Sequence, residues 1–347
     1  AGIVSLLTGG TAASTVTIPA THTGDLTVTS EIAAESITAA ATYAGKLTVK
    51  TTADLQTTDT LTGGAGTSDT LIITADGTDL GAADLNTVTL FEAVDIAFNA
   101  AFGLTSDILM IATGKSMSWT ASGMTTAALT LDLSAETDTT SSQTVTVLGT
   151  GAHIITLGSG TDTLTSTSTG VITVVGTAGA NTITTGAGAD GITLGTGVST
   201  VSSGAANDTI TVATANLVST DTINAGAGTD SLILSNAWTV VDADFTNITN
   251  VETLSYGNNA GTLTLGAASM AAGIVTITDG TGVTTMTVGA GHTSALTVAL
   301  STGNDSITGS ASAAALTVTA AQDSLTTDDT IVGGSGSSDS LNITGGG

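Results

Sequence analysis

The chain has 347 residues, of which 41% are hydrophobic but only 2% aromatic, with 44 glycines, one proline and no cysteine. Its 29 acidic residues face 3 basic ones, Lys46, Lys50 and Lys115, giving a net charge of −26. A chain this acidic and free of arginine excludes nucleic acid and anionic lipid as partners, and no apolar run approaches the roughly 20 residues of a membrane-spanning helix.

With so few aromatic residues, the core must be built from Val, Ile, Leu and Ala, which suit a stack of similar layers. Cations must offset the charge in a compact fold; about 13 divalent ions would neutralise it completely, an upper limit that sets the scale. The start, AGIVSLLTGG, has no basic segment ahead of its apolar residues and does not read as a signal peptide. Either a signal has been removed or the chain is a slice of a longer protein.

Taken in chain order, the first segments announce themselves again near the end. AGIVSLLTGGTAASTVTI (1–18) returns as AGIVTITDGTGVTTMTV from Ala272. HTGDLTVTSEIAAESIT (22–38) returns at 292–308, and TTDTLTGGAGTSDTLIIT (57–74) returns as TDDTIVGGSGSSDSLNIT at 327–344, both with the same offset along the chain. Residues 1–271 therefore read as one repeat unit and 272–347 as the start of a second copy. Inside the unit, GAADLNTVTLFEAVDI (81–96) matches VDADFTNITNVETLSY (241–256), pairing Asp84 with Asp244 and Glu92 with Glu252. Segments 77–148 and 235–270 are expected to bulge out as loops or short sheets.

Between them, about 149–234, runs a nine-residue beat: TAGANTITT, GAGADGITL, GTGVSTVSS and GAANDTITV from Thr177 to Val212. The third position is small. The fifth bears oxygen (Asn181, Asp190, Ser199, Asp208) and the seventh is aliphatic (Ile183, Ile192, Val201, Ile210). The beat extends back through GTGAHIITL (149–157), which puts His153 at the fifth position, and GSGTDTLTS (158–166), which puts Asp162 there. Alternation along a strand sends the Thr side chains of each T-x-T triplet outward and the aliphatic inward. One strand and one turn per nonapeptide predicts an all-β chain, a right-handed parallel β-solenoid with irregular insertions and coils of about 18 residues.

GAGADGITL (186–194), GAGTDSLIL (226–234) and STGNDSITG (301–309) resemble the RTX calcium-binding nonapeptide, G-G-x-G-x-D-x-U-x. The resemblance implies that Asp carboxylates and turn carbonyls of successive coils hold Ca²⁺. It carries onto Gly186, Gly188 and Asp190, onto Gly226, Gly228 and Asp230 with Asp221 one nonapeptide earlier, and in part onto Gly303, Asn304 and Asp305. Asn181, Asp162 and Asp208 stand in the same register, and Asp59 and Asp329 are counterparts across the long repeat. The turns with Gly64, Gly66 and Asp69 and with Gly334, Gly336 and Asp339 hold one extra residue before the Asp. Hard oxygen donors without cysteine suit Ca²⁺ and not zinc.

Asp and Asn also occur in turns simply because their side chains bond nearby backbone, and Asp132 is read that way. Three scattered histidines make no metal motif and are read as structural. No G-x-S-x-G occurs, and the scarcity of aromatics leaves little for stacking sugars, so no catalysis is expected. Exposed T-x-T triplets raise a minor alternative, an ice-binding face. The Thr-, Ala- and Gly-rich, base-poor style resembles bacterial surface-layer proteins and large RTX surface proteins. That resemblance implies a secreted, extracellular structural protein that self-assembles with Ca²⁺ into a layer or fibre. The alternative is the stalk of a giant RTX-type adhesin. The expected partners are copies of the chain and cell-surface polysaccharide.

Overall fold

The computed structural model describes residues 5–8, 13–30, 35–52, 55, 58–74, 87–105, 115–213, 217–236 and 238–345. Residues 1–186 and 187–347 form two compact units, a division that does not coincide with the long sequence repeat. Their strands wind a parallel β-solenoid of about 14 turns with almost no helix.

In the first unit, one ladder stacks Ser5–Thr8, Leu26–Ser30, Leu47–Thr51, Thr70–Ile73, Ala93–Ile96, Ser116–Ala121, Ser142–Val147, Thr163–Ser166 and Thr182–Thr184. A second stacks Phe102–Thr105, Leu129–Asp132, His153–Thr156 and Ile172–Val175, and a third stacks Ser14–Ile18, Glu35–Ala39, Thr60–Thr62 and Val88–Thr89. The second unit repeats the plan. Its longest ladder runs from Gly191–Thr193 through Thr209–Val212, Ser231–Leu234, Thr253–Tyr256, Thr276–Thr278, Leu296–Leu300 and Leu316–Ala321 to Ser340–Thr344. Trp238–Val240, Gly261–Leu265, Thr284–Val288, Ser306–Thr308 and Thr330–Val332 form another. All of these pairings are parallel, which a chain achieves without long crossovers only by winding.

The inward residues are those the period selects. Leu164, Ile210, Ile223 and Leu232 are fully buried, and Ile183, Ile192 and Val201 nearly so, while Thr182 and Thr200 beside them face solvent. Each buried aliphatic contributes about 1.5–3 kcal/mol against the cost of ordering its coil. The described parts of 77–148 and 235–270 are solenoid coils, not protruding insertions; residues 77–86 and 106–114 lie outside the described residues. These coils lack the Gly-Asp signal because longer corners replace the nonapeptide turn. Coil length is correspondingly elastic. Gly191 pairs with Thr209, two nonapeptides on, but Phe102 pairs with Leu129, the length of three nonapeptides on. A solenoid requires strands to align, and the corners absorb the difference.

Glycines recur where a corner lies against the one before it. Gly226 adopts φ of +96°, and a Cβ there would run into the carbonyl oxygen of Gly204 one coil earlier. Only glycine meets both demands. In the same corner as Gly204, Ala206 carries φ of +81° with a methyl group, a strained choice for an L residue.

Candidate metal centre

The fifth nonapeptide position turns inward. Asn181, Asp190 and Ser199 are each 2% exposed, and Asp208 is 1% exposed. The reason lies in the backbone just ahead of each strand. There the carbonyl bonds to the next coil, as Asp190 does to the Thr209 N–H at 2.8 Å, but the N–H points into the corner and finds no ladder carbonyl. A buried N–H must be satisfied. The side chain one coil later supplies the acceptor: the Asp190 N–H donates to Asp208 Oδ1 at 2.8 Å, and the Asp208 N–H to Asp230 Oδ1 at 2.7 Å. The column ends on Glu252, whose Oε2 accepts the Asp230 N–H at 2.8 Å. Backbone bonds to a charged acceptor are worth about 1.5–3 kcal/mol each.

The same device recurs along the chain with other residues. Gln143 donates its N–H to Asp162 Oδ1 at 2.7 Å, and Asp162 donates to Asn181 Oδ1 at 3.1 Å. Glu35 donates to Asp59, Ser199 to Asp221, Thr284 to Asp305, and Asp305 to Asp329, at 2.7 to 2.8 Å. His153 does the work of an aspartate: its Nδ1 accepts the Leu129 N–H at 3.1 Å, and burial lowers its pKa, so a neutral imidazole stands in the ladder. Glu92 and Glu252, paired by the shorter duplication in the sequence, hold equivalent places, with Glu92 Oε2 accepting the Asp69 N–H at 2.8 Å. Each stands two positions after a residue with positive φ, Leu90 at +59° and Asn250 at +58°. The match between 81–96 and 241–256 was the signal for both. Gln143 and Asp279 had none.

The candidate residues fall into two groups by what becomes of the second carboxylate oxygen. In Asp69, Oδ1 accepts the Leu47 N–H and Oδ2 the Gly64 N–H, both at 2.7 Å. Asp339 does the same with Leu316 and Gly334 at 2.9 and 2.6 Å. The extra residue in GGAGTSD and GGSGSSD lets the side chain reach back five positions into its own turn. Gly66 and Gly336 pack against the carbonyl oxygens of Gly45 and Ala313. Asp221 and Asp329 close three-residue turns instead, accepting the N–H of Val218 at 2.9 Å and of Thr326 at 2.6 Å. These four carboxylates are satisfied by backbone alone.

Asp162 and Asp230 are not. Each has a second oxygen buried without a hydrogen-bond partner. Burial, with Glu136 nearby, pushes the Asp162 carboxyl up to about 6, and burial, with Asp190 and Asp230 alongside, pushes Asp208 up to about 6. Burial and Glu252 raise Asp230 as well. All three lysines lie before residue 116, so residues 187–347 contain no basic partner except His292. A column of buried carboxylates so placed requires positive charge from outside the protein chain.

Calcium fits this donor set. The ligands on offer are hard oxygens: Asp208 and Asp230, with carbonyls of the corners around Gly204 and Ala206, against which Gly226 and Gly228 pack. Asp162 and Asn181, at the corner where Gly179 packs on the Gly160 carbonyl, make a second such place, while Gly186 covers the Ser168 carbonyl at the corner beyond the next strand. Gly188 is buried in its turn, Gly303 packs against the Gly282 carbonyl beside Asp305, and Asn304 is exposed. Among the described residues no three acidic, His or Cys side chains converge, so backbone carbonyls would complete any site. When bound, the ion supplies the counter-charge that lets adjacent coils stand ionised.

A parallel solenoid with inward acidic residues at its corners defines a class of repeat proteins stabilised by divalent ions. Residues 173–201 and 219–235 match the family profile of the RTX calcium-binding nonapeptide repeat, with 4 copies. These segments are RTX-type calcium-binding repeats, and such repeats bind Ca²⁺. Comparison with curated proteins and with solved structures gave no match.

Proposed function

We propose that the chain is a non-catalytic, structural part of a secreted bacterial surface protein, and that Ca²⁺ switches its assembly into an extracellular layer or fibre. RTX repeat proteins are typically secreted by bacteria. The observation that carries the reading is the column of buried Asp190, Asp208 and Asp230, ending on half-buried Glu252, in a unit with no Lys or Arg. It makes rigidity conditional on the calcium of an extracellular medium. The net charge of −26 supports the second half of the proposal. Acidic surfaces of neighbouring copies repel until divalent ions bridge them.

A non-catalytic role agrees with a groove of about 680 Å³ lined by Gly64, Leu90, Glu92, Lys115 and Met117 among others. Its one carboxylate, Glu92, already accepts the Asp69 N–H. With three lysines and no arginine, the chain offers trypsin-like proteases few sites, as suits an exposed coat.

Electron microscopy of the purified protein in millimolar Ca²⁺ is expected to show sheets or filaments that disperse on chelation. Monodisperse particles in both conditions, across a range of concentrations, would defeat the assembly claim and favour the adhesin-stalk reading, which needs the same calcium-rigid solenoid without self-association.

A further inference from the structure

A pair of buried carboxylates lies outside the residues matched by the nonapeptide profile. Asp279 follows the strand Thr276–Thr278, and Thr284 opens the strand Thr284–Val288 after the corner DGTGVT. Asp305 precedes Ser306–Thr308, one coil later. Thr284 gathers both acids: its Oγ1 donates to Asp279 Oδ1 at 2.9 Å and its N–H to Asp305 Oδ1 at 2.8 Å. Asp279 is 7% exposed and Asp305 1%. Asp279 Oδ2 is buried with no hydrogen-bond partner. The phenol of Tyr256, 1% exposed, sits in the field of both; burial and the charges of Asp279 and Asp305 push its pKa up.

This pairing does not belong to the general ladder. At the corresponding positions of the first copy the sequence has Thr8, Ser14 and Glu35, so the first copy holds one acid where the second holds two. Glu35 Oε1 accepts from Thr8 Oγ1 at 2.6 Å and Ser14 Oγ at 3.3 Å, and its Oε2 is buried without a partner, but no second acid stands beside it there. In the second copy Asp279 and Asp305 instead meet on Thr284, and both are buried. Two like charges this deep do not both stand ionised without a positive partner. The unit offers no Lys or Arg. The partner must be a proton or a metal ion.

We propose that Asp279, with the Thr284 hydroxyl, joins Asp305 in a further Ca²⁺ site outside the residues matched by the family profile, with the phenol of Tyr256 beside it. Every donor is a hard oxygen, which selects Ca²⁺ over softer transition metals. Two carboxylates give this place more side-chain charge than one nonapeptide Asp with carbonyls. The site rests on the reading of the chain as calcium-binding, yet it uses none of the residues of the Asp190 to Glu252 column.

The tyrosine makes the site readable on its own. Tb³⁺ is the probe, added to the metal-free full chain at neutral pH and excited through tyrosine, with calcium stoichiometry measured in parallel. Wild type is expected to show sensitised emission that Ca²⁺ competes away. Tyr256→Phe, nearly isosteric, should lose that emission while the calcium stoichiometry stays the same. Asp279→Asn should lose the emission and one calcium ion. Asp208→Asn should leave the emission intact and lose an ion of the nonapeptide column, so failure of this site and failure of the calcium reading are distinguishable. Emission that survives both Tyr256→Phe and Asp279→Asn would overturn the proposal. So would a protonated-carboxyl infrared band, absent in Asp279→Asn, that persists in wild type under saturating Ca²⁺, because the pair would then hold a proton.

Discussion

The turns at Asp69 and Asp230 look alike in sequence, GGAGTSD against GAGTD, and both aspartates are buried, at 0% and 1% exposure. They solve the same problem in opposite ways. Asp69 has one more residue in its turn and uses it to fold the second oxygen back onto the Gly64 N–H. Asp230 has the shorter turn, and its second oxygen faces the interior without a partner. One residue of turn length thus decides whether a buried carboxylate is closed by its own backbone or left open for a cation. The number of acidic residues in a chain is therefore a poor measure of its calcium sites.

Chelation should break the comparison open. With EGTA, hydrogen exchange is expected to accelerate most at the Asp208 and Asp230 corners and least at the Asp69 turn, with loss of β-sheet circular dichroism. Each site held at 100 times its dissociation constant adds about 2.7 kcal/mol, so several sites dominate the stability of the unit. Uniform exchange in both places would erase the distinction.

Asp69→Asn comes next. An amide must turn its NH₂ toward one of two N–H groups, which leaves a buried donor unsatisfied and costs about 2 kcal/mol with or without Ca²⁺. Thermal unfolding in both buffers measures it, and a penalty that vanishes in EGTA would make Asp69 a calcium ligand.

Asp230→Asn has the opposite sign. It keeps an oxygen for the Asp208 N–H and removes an uncompensated charge. The metal-free protein should gain on the order of 1 kcal/mol while the calcium-induced gain in melting temperature shrinks. A variant that loses stability in EGTA would refute the open-carboxylate reading.

The smallest effect is in pH. Asp162 and Asp208 are held at about 6 in the fold against an ordinary 3.8. Between those values the folded state keeps protons that the unfolded state has lost. Metal-free stability is therefore highest below about pH 4, declines as pH rises toward 6 and levels off above it. Saturating Ca²⁺, which binds the ionised form, should flatten the decline. A metal-free melting curve that does not fall between pH 4 and 6 would contradict the burial assigned to these groups.

Much of this was legible in the sequence, because a nonapeptide beat constrains side-chain direction, spacing and turn chemistry together. The inward Ile183, Ile192, Val201 and Ile210 and the register of Asp190 and Asp208 follow from it directly. Coil length was not legible, since the beat implies two nonapeptides per coil while the corners between Phe102 and Leu129 accommodate the length of three. The coils within 87–148 were missed for the same reason: Trp119 and Gln143 occupy ladder places and bond each other at 3.0 Å, but neither resembles an Asp-Gly turn. Asp279 was hidden because it meets Asp305 across a corner and between coils, a proximity that no spacing in one strand reveals.

Every link of the acid ladder joins a coil only to its successor, as Asp208 serves Asp190 and Glu252 serves Asp230. Nothing in the link records how many coils precede or follow it. If Thr209–Asp230 were excised, Asp208 would meet Glu252 in the register that Asp230 now holds. Such a molecule behaves as a ruler graduated in coils. A gene can lengthen or shorten it by unequal recombination between similar segments, without redesigning any interior. The likeness of 81–96 to 241–256, and of the opening segments to those after Ala272, is the kind of mark that such editing leaves.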